Sequence, residues 1–169
     1  MIEQIFLKFS ADKLHQLRGR IHDCANRLTE EQIWVRQSQN ENTIGNLILH
    51  LTGNVRQWIG HSVGGAPDTR DRDSEFAAHG GVERAVLLIK LDEVLDNAVE
   101  VINTLPPDRL TQQITIQKYN VTVMEAIYHV VEHFAQHTAQ IIFATKLLTG
   151  EDLEYYKHLS RPAHKEATP

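Results

Sequence analysis

A chain of 169 residues with 17 lysines and arginines, 22 aspartates and glutamates and a net charge of −5 is long enough to bury one ordinary core. Its acidic balance without a basic run argues against nucleic acid or an anionic membrane as partner. The start Met1-Ile2-Glu3-Gln4 lacks the features of a signal peptide, and no apolar segment approaches the roughly 18 residues of a membrane span, so the expected compartment is the cytoplasm.

In chain order, residues 2–28 carry Phe6, Phe9, Leu14, Leu17, Ile21, Cys24 and Leu28 at helical spacing, with lysines and arginines opposite. The only cysteine, Cys24, keeps step with this stripe and reads as a buried structural thiol. Thr29-Glu30-Glu31-Gln32 has the form of a capping box opening one short turn. Residues 34–42 are polar and follow an alternation of Ile33 and Val35, which predicts an extended connection. Asn42 or Thr43 then caps a second helix on Ile44, Leu47, Ile48, Leu51, Val55, Trp58 and Ile59, with His50 in line with Asn46 and Asn54 one turn either side. The stretch 63–80, rich in Gly, Pro and charge, is too long for a tight turn between antiparallel neighbours. It predicts a crossover that lets helices two and three run parallel. A third helix over 82–104 rests on Leu87, Leu88, Leu91, Val94, Leu95, Ala98, Val101 and Ile102, and Pro106-Pro107 ends it. Residues 111–119 read as a short strand pair or an extended loop. A fourth helix over 121–149 is stopped by Gly150.

Four such helices make an all-α four-helix bundle the economical fold, with a long crossover between helices two and three. Residues 1–160 form the expected single domain, and 161–169 a polar, disordered tail. Residues 26–33 faintly echo 103–110, and 43–50 echo 122–129, as if a helix, a link and a second helix occurred twice. That arrangement brings helices two and four face to face.

The chemistry concentrates in the fourth helix. His129, His133 and His137 are three of the ten histidines, spaced four apart, and residues i and i+4 of a helix are offset by only about 40°. His133 and His137 can therefore aim at one point, as can His129 and His133. Two imidazoles on one rigid helix suit Zn²⁺, Ni²⁺, Fe²⁺ or Cu²⁺. Paired histidines are also common on solvated faces, but here Ile127, Val131, Phe134, Thr138, Ile141, Thr145 and Leu148 form an adjacent apolar stripe, so the pair borders the core. A third ligand must come from elsewhere, and His50 is the other histidine embedded in a strongly apolar helical run. His129-Val130-Val131-Glu132-His133 also matches the loose H-x-x-E-H pattern, in which Glu132 is a base and His129 a ligand. That plan needs an acidic ligand further downstream than the chain comfortably offers.

His50 in Asn46-Leu47-Ile48-Leu49-His50-Leu51, followed far downstream by His133-Phe134-Ala135-Gln136-His137-Thr138-Ala139-Gln140-Ile141, resembles the DinB-like/YfiT-like superfamily of metal-binding four-helix bundles, in an uncharacterised branch. The likeness covers nearly the whole chain. It departs at Ala139, where the superfamily usually has glycine, and agrees at Gln140 and Ile141. The resemblance implies that His50, His133 and His137 bind a divalent metal (zinc, nickel or iron), with His129, Asn54, Gln140, Arg72 and Glu75 behind the ligands or lining a pocket.

Three ligands leave a fourth position open. Characterised relatives point to a thiol S-transferase that holds a low-molecular-weight thiol as nucleophile, acting on a small-molecule substrate. The alternatives are a non-catalytic bundle stapled by its metal and a metal-water hydrolase with Glu75 or Asp73 as base. Exposed helix faces leave room for a homodimer. Arg70 and Arg72 read either as clamps for a substrate carboxylate or as partners of Asp71 and Asp73 on a solvated loop. Trp58 reads as core. His15, His22, His61, His79, His158 and His164 read as surface groups.

Overall fold

The computed structural model describes residues 1–157; the tail expected over 161–169, with His158 and His164, lies outside the described residues. The helices are α1 Ile2–Asn26, α2 Glu30–Ile33, α3 Ile44–Val55, α4 Arg72–Ala77, α5 Arg84–Thr104 and α6 Val123–Thr149, and a hairpin of β1 Gln113–Ile116 and β2 Tyr119–Thr122 precedes α6. The fold is an all-α bundle built on α1, α3, α5 and α6.

Helix starts follow from capping chemistry. Thr29, Thr43 and Thr122 each accept a hydrogen bond from the backbone three residues on, and Gln32, Asn46 and Glu125 reach back to the cap amide. Gly150 ends α6 with φ 71°, a left-handed conformation that glycine adopts without strain.

Side-chain contacts fix the helix directions. His22 meets Asp92 at 2.8 Å and Arg18 meets Asp96 at 2.6 Å, so α1 and α5 are antiparallel. The Trp34 indole N–H donates to the Val82 carbonyl near the starts of α3 and α5, while Gly60 and Gly64 lie against Asn97 and Val101 towards their ends. Helices α3 and α5 therefore run parallel, as the long crossover requires. His50 of α3 touches His133 of α6, and Trp58, further along, stacks on His129, earlier in α6. Those two helices are antiparallel and face to face. Ile48, Leu51, Leu91, Ile102, Ile127 and Phe134 fill the space between the helices with essentially no exposure.

Several expectations need correction. The inner face of α1 starts with Leu7, Ser10 and Ala11, whereas Phe9 is exposed. Residues two positions apart on a helix are offset by about 200°, so Phe9 cannot share a face with Leu7. The second helix is α-helical only to Val55 and widens into a π-helical turn over Arg56–His61. Such turns are frequent at functional sites. Residues 34–42 are irregular rather than extended, with the Gln37 and Ser38 amides donating to Glu41. The crossover contains α4, capped by Asp71. Residues 111–119 hold most of a true hairpin, with Ile116 opposite Tyr119 and positive φ at both turn residues, Gln117 and Lys118.

Phe134 lies one residue after His133 and is fully buried, whereas Phe143 on the same helix is 64% exposed. Urea denaturation should therefore find Phe134→Ala destabilised by about 3–5 kcal/mol and Phe143→Ala by about 0.5 kcal/mol or less. Equal losses would contradict this packing.

Candidate metal centre

The α3–α6 contact brings three imidazoles to one point. His133 Nε2 lies 3.1 Å from His50 Nε2 and 3.1 Å from His137 Nε2. One ligand atom from each ring falls within 4.8 Å of the others, a group that can hold a metal ion. The regular helical turn supplies His133 and His137, and α3, anchored at Thr43, supplies His50.

The far side of two rings is held by partners that set the tautomer. His50 Nδ1–H donates to Glu75 Oε2 at 2.9 Å, and His137 Nδ1–H donates to Gln140 Oε1 at 2.8 Å. Each leaves an Nε2 lone pair turned towards His133. Glu75 is itself gripped, with Arg70 Nε donating to Oε1 at 2.8 Å and Arg70 Nη2 to Oε2 at 2.9 Å. Burial pushes the Glu75 carboxyl up, but the hydrogen bonds from His50 and Arg70 and the Arg70 charge outweigh it and hold it below the usual range.

Burial, reinforced by His137, His50, His129 and the Arg70 guanidinium, lowers His133 to about 3. Burial also lowers His137. These rings are neutral near pH 7, the state in which imidazole ligates metals. Without an ion, ring nitrogens this close can be joined only through a proton on His133 Nε2, and a cation between them would take that proton's place. The donor set therefore fits a borderline divalent ion, and the carboxylate behind His50 is the usual support for a ligating imidazole.

The family described as "Protein of unknown function (DUF1572)" matches residues 1–165. The chain belongs to this family. Among solved structures, a conserved protein from Enterococcus faecalis is similar with TM-score 0.71 at 14% identity, over 85% of this chain and 97% of that one. At that identity the likeness supports the bundle fold. Comparison with curated proteins gives no significant match.

His129 is not in the converging group: its ring lies against His133 at 5.4 Å and against Trp58 at 4.1 Å between centroids. Glu132 is exposed. The H-x-x-E-H reading thus finds neither its ligand nor its base at the point where His50, His133 and His137 meet. A cavity of about 440 Å³ opens beside the trio, with His50, Asn54, Trp58, Arg72, His129 and His133 among its walls. Asn54 Oδ1 and Trp58 Nε1 are buried without a hydrogen-bond partner, and the Arg72 guanidinium lies 4.9 Å from the Phe76 ring centre. Trp58 is thus core and pocket wall at once.

Arg70 departs most from expectation. Its side chain is 3% exposed and bonds Glu75, while Asp71, its supposed partner, caps α4. The local alternation of charge gave no hint of this. The nearest signal was the buried carboxylate five residues on. Among the described histidines read as surface groups, His22 and His61 are only partly exposed; His22 pairs with Asp92, and His61 Nδ1 meets the Ala66 carbonyl.

His129, His133 and His137 all sit below their ordinary value in the fold, so in mild acid the unfolded chain binds more protons. Stability of the metal-free protein should be full above about pH 6.5, the unfolded histidine value, and decline as pH falls from there towards the folded values. Melting of chelator-treated protein between about pH 6.5 and 5, above the carboxylate range, should show this slope, and His133→Gln should flatten it. An equal slope in the variant would show that His133 already carries its proton in the fold.

Proposed function

We propose that this chain is a DinB-like metal protein in which His50, His133 and His137 hold a divalent ion, and that it acts as a thiol S-transferase on a small-molecule substrate in the cytoplasm. The observation that carries the reading is the convergence of three Nε2 atoms, two of them fixed as acceptors by Glu75 and Gln140. A zinc, nickel or iron ion held by these three histidines would supply a Lewis acid that lowers the pKa of a low-molecular-weight thiol towards neutrality.

The protein's own groups do the rest. The Trp58 and His129 rings offer an apolar wall to the substrate. Arg72, reaching the cavity from α4, offers a guanidinium to a carboxylate of the thiol or of the electrophile. The hydrolase alternative needs a free carboxylate base. Glu75 has both oxygens engaged, Asp73 is exposed and is not among the residues lining the cavity, and Glu125, which is on the cavity wall, is bonded to the Thr122 cap. That ranks thiol chemistry ahead of hydrolysis.

A stapling role has one specific observation in its favour: the trio joins α3 to α6 and, through Glu75, to α4. A pure staple predicts a large rise in melting temperature on metal loading and no thiol-dependent activity.

Metal analysis of protein purified without an affinity tag should find about one ion per chain. His50→Ala, His133→Ala and His137→Ala should each lose tight binding while remaining helical by circular dichroism, and His129→Ala should keep it. Transfer of glutathione, bacillithiol or mycothiol to a model electrophile should follow metal content. Retention of metal by His137→Ala together with its loss in His129→Ala would overturn the ligand set; metal without thiol-dependent transfer would leave the staple.

A further inference from the structure

Gly53 lies inside α3, where glycine is the poorest helix former after proline. Its backbone is helical, with no positive φ that would call for glycine. What the missing side chain provides is room. A Cβ there would lie 1.9 Å from Glu75 Oε1, 2.8 Å from Glu75 Cδ and 3.1 Å from Arg70 Nε. The carboxylate and guanidinium thus close on each other directly over a bare patch of α3, one turn from His50.

The Arg70 fork meets both Glu75 oxygens and so fixes the plane of the carboxylate as well as its distance. Its remaining nitrogen, Nη1, donates to Gln57 Oε1 in the π-helical turn at 3.1 Å. Asn46 ties the backbone of α4 to α3, its amide donating to the Glu75 and Ala78 carbonyls at 2.9 and 2.8 Å. A carboxylate delivered from a six-residue helix in a long crossover is thereby held from three sides.

We propose that Gly53 and Arg70 are positioning residues of the metal centre: they seat Glu75 against His50 Nδ1 and so set the affinity for a divalent ion that neither of them touches. The proposal rests on the metal-centre reading of the histidine trio. Alanine at position 53 must push Glu75 off its seat, because the obstructing atoms belong to a buried carboxylate gripped by Arg70 and cannot swing into solvent. Loss of Arg70 leaves the carboxylate unclamped and its charge uncompensated. Either change leaves all three Nε2 donors in place.

The test is zinc affinity of the full chain by competition with a chromophoric chelator, for wild type, Gly53→Ala, Glu75→Gln and the double variant. Gly53→Ala and Glu75→Gln should each weaken zinc binding about ten- to a hundredfold, the range for lost outer partners of a ligating histidine. The double variant should bind no more weakly than the weaker single one, because both act through one hydrogen bond. A merely structural effect of the added methyl would combine additively with Glu75→Gln. Such additivity, or full affinity in Gly53→Ala, overturns the proposal. Circular dichroism checks folding, and if Gly53→Ala does not fold, Arg70→Gln in the same cycle carries the same expectations. Wild type that takes up no zinc would instead overturn the metal-centre reading itself, and the positioning role with it.

Discussion

The buried hydrogen bond from His50 to Glu75 is the interaction on which the rest of the site depends. It decides which nitrogen of His50 faces α6, and it brings a carboxylate into a place where the His50, Glu75 and Arg70 side chains are each less than a tenth exposed. A buried ion pair is weak evidence for stability, because desolvation offsets the Coulomb attraction, while removal of one partner typically costs about 3–5 kcal/mol. A helix with a bare glycine in its last turn and a crossover folded around a buried Arg–Glu pair is therefore poorly explained as scaffold alone. It is well explained as support for an imidazole held so that one particular ring nitrogen faces α6.

Topology and chemistry meet in the crossover. Parallel α3 and α5 oblige the chain to return along the length of the bundle between them. That return segment passes the α3–α6 seam where the histidines meet, and α4 is the part of it that packs there. The π-helical turn at the end of α3 contributes on the same side, supplying Trp58 to the cavity and Gln57 to Arg70. Thus the connection that makes the bundle topology workable also carries the carboxylate, its guanidinium clamp and the cavity-lining Arg72.

Much of this was legible from residue order where function follows helical period. His133 and His137 are one turn apart, so their shared direction follows from the helix alone, and His50 was marked by the apolar run around it. Thr29 announced the start of α2 through Gln32 three positions on, and Thr43 was one of two candidate caps for α3. What escaped were relations that exist only after folding. Gly53 is bare because of a residue 22 positions later, and Arg70 pairs with Glu75 rather than with the adjacent Asp71. Helix α4 is too short to show a period, since of its six residues only Glu75 is buried. Phe9 misled for a simpler reason: apolar character was counted without its phase against Leu7. Short helical turns, Glu30–Ile33 and Pro107–Thr111, follow α1 and α5, and α3 and α6 both open on capping boxes.

In the proposed centre, three imidazoles from α3 and α6 share one ion. X-ray absorption at the zinc edge of the zinc-loaded chain tests it directly. The account predicts a four-coordinate shell with three imidazole nitrogens at about 2.0–2.1 Å and one further light atom, which gives way to a sulfur at about 2.3 Å when a low-molecular-weight thiol is added. A shell dominated by carboxylate oxygen, or one with fewer than three imidazoles, would contradict it.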